Sequence, residues 1–78
     1  MSVCYVLINV VPKNERKVYD KLSEMPDIVE RHIVSGEYDI IAKLKVDDIE
    51  NLPSIVTTKI RSIEGVKDTR TLTGLELK

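Results

Sequence analysis

The chain predicts an α+β fold of ferredoxin-like βαββαβ order, a four-stranded antiparallel sheet with two helices on one face. Three observations carry that prediction. Strand-like apolar runs and helix-period stretches alternate in this order along the chain. Each helical stretch opens on a capping residue and closes at Pro or Gly. No linker, repeat or low-complexity segment interrupts the 78 residues, so a single domain over 1–78 is expected.

The first strand is Val3 to Val11, almost wholly apolar and β-branched, stopped by Pro12. Asn14 is placed as the cap of the first helix, and Val18, Leu22 and Met25 follow at helical spacing with Tyr19 beside them. The Met25-Pro26 step ends that helix, because a residue before Pro leaves the α region. Asp27 to Val34 reads as a second, more polar strand and therefore an edge. Tyr38 to Val46 is the third, with Ile40, Ala42, Leu44 and Val46 on one face and Lys43 and Lys45 opposite. Asp47 with Glu50 suggests a capping box for the second helix. Pro53 restricts the helix proper to about residue 52 or 53 onward, with Leu52, Val56, Ile60 and Ile63 as its apolar stripe. Gly65 closes it in a left-handed conformation, and Val66 to Leu77 is the last strand. Right-handed crossovers place the first and third strands at the centre.

Two helices cover only one face of such a sheet. The first strand is nevertheless apolar on both: Cys4, Val6, Ile8 and Val10 alternate with Val3, Tyr5, Leu7 and Val11. Soluble monomers rarely leave such a patch in water. Covering about 600 Å² per subunit would contribute on the order of 15 kcal/mol gross, offset in large part by the cost of association. The expectation is a dimer stacked through its open sheet faces.

Composition narrows the function. The 12 basic and 13 acidic residues are interspersed, with net charge −1, which argues against a basic nucleic-acid surface. The lone Cys4 excludes an internal disulfide and suits a reducing compartment. With no leader-like start and no apolar run of spanning length, a cytoplasmic protein without membrane association is expected. His32 and Cys4 lie on different strands without ligand spacing, so no metal or other cofactor is expected. Ser23, Ser35, Ser54 and Ser62 have only His32 as a basic partner, and no catalytic constellation emerges. A glycine-rich phosphate cradle with arginine, as in acylphosphatases, is missing, and where RNA-recognition folds present stacking aromatics on the middle strands the third strand has only Tyr38, at its start.

The segment Ile33 to Ala42, IVSGEYDIIA, is the most informative part of the chain. It reads as strand, Gly-bearing connection and strand, with Tyr38 and Asp39 at the corner. Such a corner can hold a small zwitterion, and it also reads as an ordinary hairpin in which Gly36 supplies a permissive backbone angle. Thr69, Thr71 and Thr73 share a face by alternation, and threonines are also simply good strand formers.

The stretches VSGEYDIIAKLKV, IRSIEGV and TRTLTGLELK, in that order and spacing, resemble the effector-binding (RAM) domain of Lrp/AsnC transcription regulators over essentially the whole chain. The family pattern matches at Ser35-Gly36-Glu37-Tyr38-Asp39, at Ile63-Glu64-Gly65-Val66 and at Thr69-Arg70-Thr71. The resemblance implies sheet-to-sheet dimers that assemble into rings and bind an amino-acid effector in clefts between dimers. By position, Gly36, Tyr38 and Asp39 would line the cleft, with Ser35, Thr69 and Thr71. Backbone N–H groups near Gly36 would meet a ligand carboxylate and Asp39 its α-ammonium. Full-length regulators also carry an N-terminal helix-turn-helix, whereas this chain begins at its first strand. That departure predicts a stand-alone module without direct nucleic-acid contact, acting through co-assembly with full-length relatives. The alternatives are a ligand-free assembly protein of the same fold, an ACT-like sensor and a small dimeric oxygenase. An ACT-like sensor would have a Gly-containing connection where Pro12-Lys13-Asn14 stands.

Overall fold

A computed structural model describes residues 2–74. Its strands are β1 (Ser2–Val10), β2 (Ile28–Ile33), β3 (Ile40–Val46) and β4 (Val66–Thr73). Helix α1 spans Glu15–Leu22. The second helical segment is composite: a 3-10 turn (Ile49–Asn51), the short helix α2 (Leu52–Ile55) and a wider π turn (Val56–Ile60). The sheet is fully antiparallel in the order β2-β3-β1-β4, so β1 and β3 are central as expected.

One face of the sheet forms the core. Cys4, Val6, Ile8 and Val10 of β1 lie beside Ile40, Ala42, Leu44 and Val46 of β3, all buried with Val18, Leu22, Leu52, Val56 and Ile60 from the helical layer. Fully burying a side chain such as Ile8, Leu22 or Ile60 stabilises by about 1.5–3 kcal/mol relative to exposure. Tyr19, Met25 and Ile63 pack against this core without being enclosed. Burial raises the Cys4 thiol above its ordinary pKa and leaves it a small apolar core residue.

The open face has a narrower apolar strip than expected. Val3, Tyr5 and Leu7 are half-buried along β1, next to Ile41 and the 49% exposed Leu72. Asn9 interrupts the strip and donates to Asp68 Oδ1 at 3.2 Å. Lys43 and Glu30 pair beside it at 3.5 Å.

Several boundaries differ from expectation for local reasons. Helix α1 stops at Leu22, and the N–H groups of Ser23, Glu24 and Met25 tighten onto carbonyls three residues back at 3.1 Å. Asn14 makes no side-chain cap bond; its amide donates to the Val11 and Pro12 carbonyls instead. The second helical segment is capped by Asp48, not Asp47: Asp48 is extended and its Oδ1 accepts from Glu50 N at 3.0 Å. The π turn has its origin in the stripe Leu52, Val56, Ile60. Steps of four residues drift by about 40° each on a regular helix, and the wider turn keeps all three buried. Tyr38 and Asp39 belong to the connection before β3, not to the strand. Of the expected last strand, Val66–Thr73 is observed and residues 75–77 lie outside those described.

Candidate functional site

Three hydrogen bonds fix the connection from β2 to β3, one closing it on itself and two tying it to the end of β1. Val34 N donates to the Asp39 carbonyl at 2.8 Å, closing the corner. Asp39 N donates to the Ile8 carbonyl at 2.9 Å. Val10 N then donates to Asp39 Oδ2 at 2.9 Å. The third bond has a clear cause. The β1–β3 ladder ends at Ile8 opposite Ile40, so Val10 N, two residues on and facing the same side, has no β3 carbonyl to meet. The Asp39 carboxylate supplies the acceptor that this half-buried N–H would otherwise lack, a deficit that costs about 1–3 kcal/mol.

The corner itself faces outward. Ser35, Gly36 and Glu37 are exposed, while Tyr38 and Asp39 are half-buried. Gly36 has φ +123°, a conformation that favours glycine, yet a Cβ built on it meets nothing within 4 Å. Among the described residues, the N–H groups of Ser35, Gly36 and Glu37 make no backbone hydrogen bond. The same short connection thus carries exposed N–H groups without a partner in the described chain and a carboxylate with one engaged oxygen, with open space at Gly36. That pairing of groups suits a small molecule carrying both charges.

The structure brings Ser35, Gly36, Tyr38 and Asp39 together but sets Thr69 and Thr71 apart. Thr69 pairs with Ile8 and Thr71 with Val6, which places both on the helix-covered face of β4. Because β1 separates β4 from β3, Thr69 is on the order of 10 Å from the nearest β3 residue. Within one chain the threonines cannot close over the corner. They line a groove of about 430 Å³ between β4 and the second helical segment, together with Leu52, Val56 and Arg61. No group of three metal-ligating side chains occurs among the described residues, and no helix there is long and apolar enough to cross a membrane.

Two partners of Asp39, the Ile8 carbonyl and the Val10 N–H, have no signal in the sequence. Both are backbone groups on a distant strand. Only the apolar run ending near Pro12 hints that β1 must stop close to the corner.

The Lrp/AsnC ligand binding domain profile matches residues 3–76. An uncharacterized HTH-type transcriptional regulator of Pyrococcus furiosus is 34% identical over 74 residues, covering 91% of this chain and 49% of the regulator. The regulatory protein AsnC of Haemophilus influenzae is 31% identical over 74 residues, covering 94% of this chain and 49% of AsnC. The chain thus spans about half the length of the curated relatives it matches. A crystal structure of a Thermus thermophilus protein has TM-score 0.93 and 32% identity, covering 100% of this chain and 98% of that one.

Proposed function

Since the chain belongs to the Lrp/AsnC ligand-binding domain family, whose members here are transcriptional regulators, we propose that it is an amino-acid-sensing regulatory module. The effector sits at the Ser35–Asp39 corner of one copy against a neighbouring copy. Its carboxylate takes the free N–H groups around Gly36, and its ammonium takes the Asp39 oxygen that Val10 leaves unused. Tyr38 walls the site, and Thr69 and Thr71, which face the groove beside the second helical segment, take no part in it. Copies pair through the strip of Val3, Tyr5, Leu7, Ile41 and Leu72, and the pairs assemble into rings. In this reading the oligomers form in the cytoplasm, include full-length relatives and carry the effector signal to DNA through them.

The observation that supports the reading best is the open space at Gly36 on a connection that also carries unpaired donors and a half-used carboxylate. Native mass spectrometry, with and without a mixture of the common amino acids, tests it. An even-numbered assembly that gains one small-molecule mass per subunit or interface is the expected result. A bare monomer would remove the dimer, and with it the cleft. A ligand-free assembly protein is the second reading, favoured by the engagement of Asp39 with Val10; assemblies that gain no mass would select it.

A further inference from the structure

We propose that the groove between the second helical segment and β4 is a separate binding site for a small apolar carboxylic acid without an ammonium group, such as a short branched-chain or 2-oxo acid. The first sign is chemical. On the core-side face of β1 and β3 the side chains are apolar and buried, yet β4 presents Thr69, Thr71 and Thr73 on that face. The hydroxyls line an open hollow of about 430 Å³, within the range of small-molecule sites. Opposite them lie Leu52, Pro53 and Val56, an apolar wall.

The second sign is the π turn. Arg61 N donates to the Val56 carbonyl at 2.9 Å, five residues back. One extra residue in a turn rotates the residues after it by about 100° relative to a regular helix, and such widenings recur at functional positions. Here the widened turn leads directly into Arg61, which joins Val56 in lining the groove. Among the described residues Arg61 enters no ion pair, as is also true of Lys13, Arg31, Lys45, Lys67 and Arg70, but of these six only Arg61 lines the groove. A guanidinium without an anion at the end of an apolar wall is suited to a carboxylate.

The third sign excludes an amino acid. Among the described residues no aspartate or glutamate lines the groove, so an α-ammonium would enter without a counter-charge from them. A simple or 2-oxo acid has no such group. Its carboxylate meets Arg61, its branched tail rests on Leu52 and Val56, and a keto oxygen accepts from a threonine hydroxyl. This site lies on the far side of β1 from the Gly36 corner, so it stands or falls independently of the effector site.

Backbone and methyl NMR of the intact chain tests it, with isovalerate and 4-methyl-2-oxopentanoate as probes and L-leucine as control. Saturable shifts at Thr69, Thr71 and Val56 at millimolar probe are expected, with none there from leucine. Arg61→Ala, at an exposed side chain, should leave the spectrum native and weaken binding by at least about ten-fold. Thr71→Val should weaken the 2-oxo acid more than isovalerate. No saturable shift, equal response to leucine, or unchanged binding in Arg61→Ala overturns the proposal. Groove shifts that follow protein concentration instead of probe overturn it as well, in favour of a second copy of the chain.

Discussion

Two glycine turns converge on the end of β1, and they are built on opposite principles. Gly65 and Gly36 both have positive φ, +105° and +123°. The Gly65 carbonyl accepts from Val11 N at 2.8 Å, and the Gly36 corner accepts Val10 N through Asp39 at 2.9 Å. Their surroundings differ completely. A Cβ on Gly65 would stand 3.0 Å from Asn14 Cβ and 3.1 Å from Val18 Cγ2, whereas one on Gly36 would meet nothing. Gly65 is small because the first helix packs against it. Among the described residues nothing requires Gly36 to be small, apart from its backbone angle. The space over Gly36 is therefore available to something outside the chain, and the most direct tests set the two turns against each other.

The largest effect is expected at the filled turn. Gly65→Ala combines a backbone conformation that L-residues rarely adopt with crowding against two neighbours that yield poorly. Val18 is fully buried, and Asn14 is held by its amide to the Val11 and Pro12 carbonyls. A loss of about 3 kcal/mol is expected, read as a fall in the urea midpoint at unchanged slope. A loss no larger than that of Gly36→Ala would erase the distinction between the turns.

Asp39 comes next, because it braces the empty turn. Asp39→Ala removes the acceptor of Val10 N–H and should cost about 1–2 kcal/mol. Asp39→Asn keeps a carbonyl oxygen in the same place and should recover most of that stability. The pair of variants separates structure from sensing. If the carboxylate charge meets an effector ammonium, both variants lose the ligand-induced rise in melting temperature. If Asp39 only braces β1, the Asn variant responds like the parent chain.

Much of this comparison was legible in the sequence, and the part that was not has a physical reason. Gly65 reads as a left-handed helix terminator because it follows an apolar stripe and precedes a strand. The central place of β1 is readable from the right-handed crossovers of a βαββαβ order, and the β3 face from strict alternation of Ile40, Ala42, Leu44 and Val46. Asp39 stands out at its corner, but its bond to Val10 spans 29 residues and depends on where the β1–β3 ladder ends, which no periodicity encodes. Alternation puts Thr69 and Thr71 on one face. Which face could not be read, since β4 is polar on both sides and only pairing with Val6 and Ile8 decides it. The π turn lay hidden in the four-residue spacing of Leu52, Val56 and Ile60, which a regular helix also tolerates roughly.

The smallest change in stability is expected at the empty turn, and it is the most telling one. Gly36→Ala meets only the backbone penalty of φ +123°, about 1 kcal/mol, with no neighbour to displace. Fold, urea slope and the β1 contacts of Asp39 should survive. Yet the added methyl projects into the space where an effector or an adjoining copy would approach the free N–H groups. Its effect on ligand-dependent melting should therefore far exceed its effect on the fold, the reverse of Gly65→Ala. A Gly36→Ala chain that is slightly less stable but keeps its full ligand response would mean that only solvent occupies that space, and that Gly36 is a turn residue and nothing more.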